Sequence, residues 1–116
     1  MTMTVTVRWA AACRLADLLP ERGVAALFGD VQVALFRLHD DTVHAIGNRD
    51  PISGACVLSR GIVGTRADAP MVVSPMHKQA YDLRTGACLD ASGVTVPVYA
   101  ARVRDGIVEV AVADDR

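Results

Sequence analysis

Residues Val31 to Leu38, Val-Gln-Val-Ala-Leu-Phe-Arg-Leu, constrain the fold more than any other stretch. In an extended chain successive side chains point to opposite faces. Val31, Val33 and Leu35 then share one face, and Gln32, Ala34 and Phe36 take the other. Apolar residues on both faces predict a strand buried between two layers. Val24 to Phe28 and the Gly29-Asp30 turn supply the first arm of a hairpin with it. A His39-Asp40-Asp41 turn then leads into a further strand, Thr42 to Ile46.

The remaining segments are short and turn-bounded. Thr4 to Cys13 reads as a first strand, weakened by the run Ala10-Ala11-Ala12. Leu15, Leu18 and Leu19 have helical spacing, which Pro20 and Gly23 limit to a turn or two. Ser53 to Leu58 reads as a helical turn with Ser53 as its cap. Arg60 to Pro70, punctuated by Gly61, Gly64 and Pro70, reads as a polar connection. Val72 to Ser74 and Ala80 to Arg84 are short strands, followed by turns at 84–87 and 90–93. Thr95 to Val103 alternates, with Pro97 confining it to an edge or a bulge. Asp105-Gly106 is a strong hairpin signal before Ile107 to Val112, and Asp114 to Arg116 reads as a solvated tail. This pattern predicts an all-β sandwich or barrel, with residues 1–116 forming a single domain.

Composition removes several function classes. A net charge of -1 with 22% charged residues gives no basic excess for nucleic acid. No secretory signal opens the sequence, and no apolar stretch is long enough for a bilayer. Cys13, Cys56 and Cys88 are odd in number and form no C-x-x-C, which fits reduced thiols and a cytoplasmic location. Neither a Walker-type phosphate loop nor a dinucleotide fingerprint is present, so any NAD(P)H must bind elsewhere.

Two loops carry the functional signal, Asn48-Arg49-Asp50-Pro51-Ile52-Ser53-Gly54 and Ser74-Pro75-Met76-His77-Lys78-Gln79. Each follows an apolar run, and each places a proline directly after a small polar residue. Leu58-Ser59-Arg60-Gly61 lies between them, and Asp82-Leu83-Arg84-Thr85-Gly86 follows. This outline resembles Rieske iron–sulfur domains, in which Cys-x-His and Cys-x-x-His hold a [2Fe–2S] cluster. The resemblance puts Asp50 and Ser74 at the cysteine positions, and Ile52 and His77 at the histidine positions. Only His77 keeps a ligand-type side chain. Asn-Arg-Asp-Pro, Ser-Pro-x-x-Lys-Gln and Leu58 to Gly64 are similar to the small-subunit family of assimilatory NAD(P)H-dependent nitrite reductases.

That resemblance implies a Rieske-like antiparallel β-sandwich or barrel with a loop-rich cap. It implies an accessory subunit, not catalytic alone and without a cofactor of its own. The partner would be a large subunit carrying FAD, a [4Fe–4S] cluster and sirohaem, reducing nitrite to ammonium in nitrate assimilation. An electron carrier of the Rieske-type [2Fe–2S] ferredoxin kind is the alternative.

The residues themselves bear on this choice. Ile52 has no donor atom, and Asp50 and Ser74 offer hard oxygens where iron–sulfur chemistry favours thiolate. If the loops converge, Asp50, Ser74 and His77 form a hydrogen-bond network that ties them together. A hydrolase-like triad and a mononuclear metal site on His77 and Asp50 are the alternatives, one without an oxyanion hole, the other short of ligands. The three cysteines read as small packing residues, with Cys56 beneath the first loop. His39 and His44 read as solvent-facing; Arg49, Arg60 and Arg66 read as solvated, with an acidic partner as the alternative. In Rieske domains the histidine ends of both loops lie near the tip where partners dock. The resemblance therefore makes Pro51, Ile52, Pro75 and Met76 a candidate apolar interface, with an inward-turned Ile52 as the alternative.

Overall fold

The computed structural model describes residues 7–76 and 78–113. His77, residues 4–6 of the expected first strand and the tail at 114–116 lie outside the described residues. The described residues form ten strands in chain order: β1 (Val7–Arg14), β2 (Arg22–Phe28), β3 (Val31–Arg37), β4 (Val43–Gly47) and β5 (Ile62–Arg66), then β6 (Ala69–Val73), β7 (Ala80–Asp82), β8 (Val98–Tyr99), β9 (Ala101–Arg104) and β10 (Ile107–Ala113). Two single 3-10 turns, Leu15–Asp17 and Leu58–Arg60, are the helical elements among the described residues.

The strands form three antiparallel sheets. The outer sheet has the order β1-β10-β9, the middle sheet β2-β3-β4-β8 and the cap sheet β5-β6-β7. Both faces of the middle sheet are covered, as the alternation in β3 requires. Val33, Leu35 and Ala45 pack with Ala10, Val108, Val110 and Val112 of the outer sheet. Ala34, Phe36 and Ile46 face the other way, onto Leu58, Val72, Tyr81, Leu83 and Val96. Four successive residues of β3, Val33 to Phe36, are fully buried. Burial of a large apolar side chain contributes about 1.5–3 kcal/mol. β3 thus holds two cores together, one beneath the outer sheet and one beneath the cap.

Three local expectations change. Arg60 to Pro70 is not a polar connection but most of a hairpin, β5–β6, closed by Ala67-Asp68 with φ of 51° and 66°. Two left-handed residues make the turn that suits a twisted two-residue hairpin, usually signalled by Asn-Gly or Asp-Gly. Neither residue here is glycine, so the signal was absent. Pro70 is tolerated because β7 pairs only with Met71 to Val73, leaving the Pro70 carbonyl to accept from the Leu83 amide at 2.9 Å. Ser53 caps no helix; the helical turn comes later, at Leu58–Arg60. Thr95 to Val103 is two strands in different sheets, with β8 in the middle sheet, β9 in the outer one and Ala100 between them.

Phe36 and Leu35 face opposite cores, so truncating either should loosen a different pair of layers. Phe36→Ala should cost about 3–5 kcal/mol and Leu35→Ala about 2–5 kcal/mol, read by urea unfolding. Each variant should retain one cooperative transition, because the same strand anchors both cores.

Candidate functional site

The first loop leaves β4 through Asn48, which is buried and fully engaged. Its Oδ1 accepts from the Ser59 amide at 2.7 Å, and its Nδ2 donates to Gln32 Oε1 and the Cys56 carbonyl. Asn48 thereby fixes where the loop departs and where it returns. Asp50 shapes the interior of the loop. Its Oδ1 accepts from the amides of Ile52 at 2.9 Å and Ser53 at 3.4 Å. Its carbonyl accepts from the Gly54 amide at 2.7 Å, and its own amide donates to the Ala55 carbonyl at 2.8 Å. Gly54 sits at φ 79°, so the chain doubles back where Ser53 was expected to start a helical turn.

The second loop closes on itself in the same way. The Ser74 amide donates to the Gln79 carbonyl at 2.8 Å, and the Lys78 amide returns to the Ser74 carbonyl at 3.0 Å. The Ser74 hydroxyl also accepts from the Met76 amide at 3.3 Å.

The loops meet through side chains. Ser74 Oγ donates to Asp50 Oδ2 at 2.5 Å, and the Tyr81 hydroxyl donates to Asp50 Oδ1 at 3.0 Å. Asp50, Ser74 and Tyr81 are all fully buried. Burial alone would push the Asp50 carboxyl up; the hydrogen bonds from Ser74, the Ile52 amide, Tyr81 and the Ser53 amide outweigh it and hold the group below the ordinary carboxylate range. Burial, and the adjacent Asp50 carboxylate, push the Tyr81 phenol well above its usual value.

The structure therefore brings two of the expected residues, Asp50 and Ser74, into direct contact. Tyr81 is the partner that sequence reasoning missed. A buried tyrosine hydroxyl needs a hydrogen-bond partner, and that was its available signal. The arrangement is a poor nucleophile site, because the Ser74 hydroxyl is enclosed and its proton already points at a carboxylate. It also does not fit a Rieske cluster. Both Asp50 oxygens are taken by hydroxyl groups, and Ile52 has no donor atom. Among the described residues, no three His, Cys, Asp or Glu side chains gather as a metal site.

Around this buried centre, Pro51, Ile52, Pro75 and Met76 are exposed, Ile52 at 40% and Met76 at 51%. Ile52 thus does not turn inward. Cys56 is exposed instead of packing beneath the loop, while Cys88 is buried. Arg49, Arg60 and Arg66 are exposed as expected, and Arg66 pairs with Asp90 at 2.8 Å. His39 is exposed, but His44 is half-buried and burial lowers its pKa.

Ser74→Ala and Tyr81→Phe each remove one donor from a buried carboxylate. Each should cost about 1.5–3 kcal/mol in chemical unfolding. The depressed Asp50 group contributes stability that is full above about pH 4, its unfolded value, and is lost as pH falls through its native value. The stability gap between wild type and Asp50→Asn should therefore be larger at neutral pH than at pH about 3. The raised Tyr81 group works in the opposite sense, and its contribution should fade as pH rises above about 10.

Comparison with known proteins places these loops in a family. Residues 8–111 match the model of the Rieske-like [2Fe-2S] domain. The nitrite reductase (NADH) small subunit of Escherichia coli K12 is 44% identical over 104 residues, covering 89% of this chain and 96% of that one. The crystal structure of a chain assigned as the NADH-dependent nitrite reductase small subunit of Mycobacterium tuberculosis superposes with a TM-score of 0.89 at 54% identity, covering 92% and 96% of the two chains. A nitrite reductase [NAD(P)H] large subunit from Klebsiella oxytoca contains a stretch 39% identical over 102 residues, 88% of this chain but 11% of that one. With the predicted sheets and both loops in place, this chain belongs to the Rieske-like [2Fe-2S] domain family and, within it, to the small subunits of NADH-dependent nitrite reductase.

Proposed function

We propose that this chain is the accessory small subunit of a cytoplasmic NAD(P)H-dependent nitrite reductase: one domain, without a cluster, not catalytic alone. The observation that carries the reading is the Asp50–Ser74 hydrogen bond. It joins the two loops at the positions where a Rieske domain would supply thiolates. Similarity to nitrite reductase small subunits over most of the chain supports nitrite reduction as the reaction of the complex, and ammonium is the product the family resemblance implies. The Klebsiella oxytoca relative, in which a similar stretch belongs to a large subunit, supports the partner. In this reading FAD, the [4Fe–4S] cluster and sirohaem reside on the large subunit. No helix among the described residues is long and apolar enough to cross a membrane.

The subunit docks by its loop tip. Pro51, Ile52, Pro75 and Met76 expose apolar surface beside a buried polar centre, and contiguous apolar surface is the usual mark of an interaction site. The four side chains are anchored from below, since Asp50 and Ser74 fix the backbone on which they stand.

The purified chain should be colourless, with neither stoichiometric iron nor labile sulfide after anaerobic expression. It should co-purify with the large subunit and reduce no nitrite by itself. Iron and sulfide at cluster stoichiometry, with a Rieske-type paramagnetic signal on reduction, would replace this reading with the ferredoxin one. Ile52→Arg and Met76→Glu should leave thermal unfolding unchanged and weaken binding to the large subunit by about 2 kcal/mol or more. Calorimetric titration of the two subunits reads this directly.

A further inference from the structure

Charge is sorted over this fold in a way that the net value of -1 conceals. In the loops 48–54 and 74–79 the one carboxylate is Asp50, which is buried with its oxygens taken by internal donors. It offsets part of the local charge from below but offers no free atom to a partner. What a partner meets is Arg49 from the first loop and Lys78, the chain's single lysine, from the second, both exposed. Arg60 is exposed at their common root: the Ser59 amide before it donates to Asn48, and Ile62 after it lies opposite Val73. Among the described residues none of these three cations pairs with a carboxylate; Arg49 Nε donates to the Gly54 carbonyl at 3.3 Å. Elsewhere Arg14, Arg37, Arg66, Arg84 and Arg102 each pair with a carboxylate of the chain.

We propose that the tip docks on a surface of the large subunit that rings an apolar seat with carboxylates, and that Arg49 and Lys78 are the specificity-determining cations that read it. This rests on the tip docking proposed above. Arg49 stands two residues before Pro51, and Lys78 two residues after Met76, so a partner seated on the apolar tip covers both cations in part. A charge taken out of water is costly unless it is paired. Asp50 cannot do the pairing, so the partner must bring the carboxylates. Arg49 also lines a groove of about 270 Å³ with Pro51, Pro97 and Tyr99, which gives an acidic side chain a place beside the guanidinium. Apolar contact supplies affinity with little choice of partner, whereas the two cations reject basic surfaces and speed encounter with acidic ones.

The test uses the purified chain titrated into the purified large subunit, with folding of each variant verified by circular dichroism. Met76→Glu and Met76→Lys strip the same apolar contact and leave opposite charges. Both should weaken binding, and Met76→Glu should bind about tenfold more weakly than Met76→Lys. Arg49→Gln and Lys78→Gln should each weaken binding about threefold or more, chiefly in the association rate, and flatten its dependence on salt. Should Arg49→Gln not fold, having lost the bond to Gly54, Lys78→Gln carries the comparison. Arg104→Gln is the control for net charge and should bind as wild type. Arg104 is exposed beside the β9–β10 turn, whose Gly106 carbonyl accepts from Leu15, at the Arg37 end of β3 and away from the loops. Equal losses in the two Met76 variants, with unchanged binding in both Gln variants of the loops, would overturn the proposal and leave tip docking intact. Tighter binding by Met76→Glu than by Met76→Lys would overturn it in favour of a basic partner surface. Wild-type binding in both Met76 variants would remove the tip from the interface and the proposal with it.

Discussion

Burial of β3 on both faces is the constraint on which the other layers depend. A strand with one wet face needs a single covering layer, whereas Val33 to Phe36 need two. The outer sheet meets one need through Val108 and Val110, and the cap meets the other through Val72, Tyr81 and Leu83. The loops inherit their position from this arrangement. The first springs from the end of β4 beside β3, and the second joins β6 to β7 in the cap. Their meeting point is thus a seam between the middle sheet and the cap. Apolar packing draws the two parts together, and Asp50, Ser74 and Tyr81 fix the register of the contact.

Hydrogen bonds join the two loops at this seam. A buried carboxylate is expensive unless its lone pairs are satisfied, and here four donors satisfy them. The depressed Asp50 pKa and the raised Tyr81 pKa are two views of that contact, since the ionised acid and the neutral phenol stabilise one another. The same contact makes the exposed residues above it well placed, because their backbone is already tied down.

Much of this was legible from residue order. The alternation in Val31 to Leu38 foretold a two-sided strand, and Asp105-Gly106, with φ of 54° and 78°, marked the β9–β10 turn correctly. The β5–β6 hairpin was hidden because Ala67-Asp68 adopts a glycine-favoured turn without glycine. The 53–58 stretch misled because Ser53 does accept from the Ala55 amide, at 3.2 Å, but Gly54 at φ 79° turns the chain back before a helical turn can form. At the site, Asp50 and Ser74 were found by their place in a motif. Tyr81 was not, because its hydroxyl reaches Asp50 across 31 positions of sequence, a contact no local pattern encodes.

Pairing of β1 with β10 has a further consequence. Val7 lies opposite Ala113, so the described chain enters and leaves the fold at neighbouring points of one sheet. A module with adjacent ends can be spliced into a longer polypeptide without stretching either junction, and such modules tolerate insertion well. In the Klebsiella oxytoca large subunit the similar stretch is 11% of the chain, so a sequence of this kind does occur within a longer polypeptide. The outer sheet is what makes the unit portable: it brings the two junctions together at one doorway.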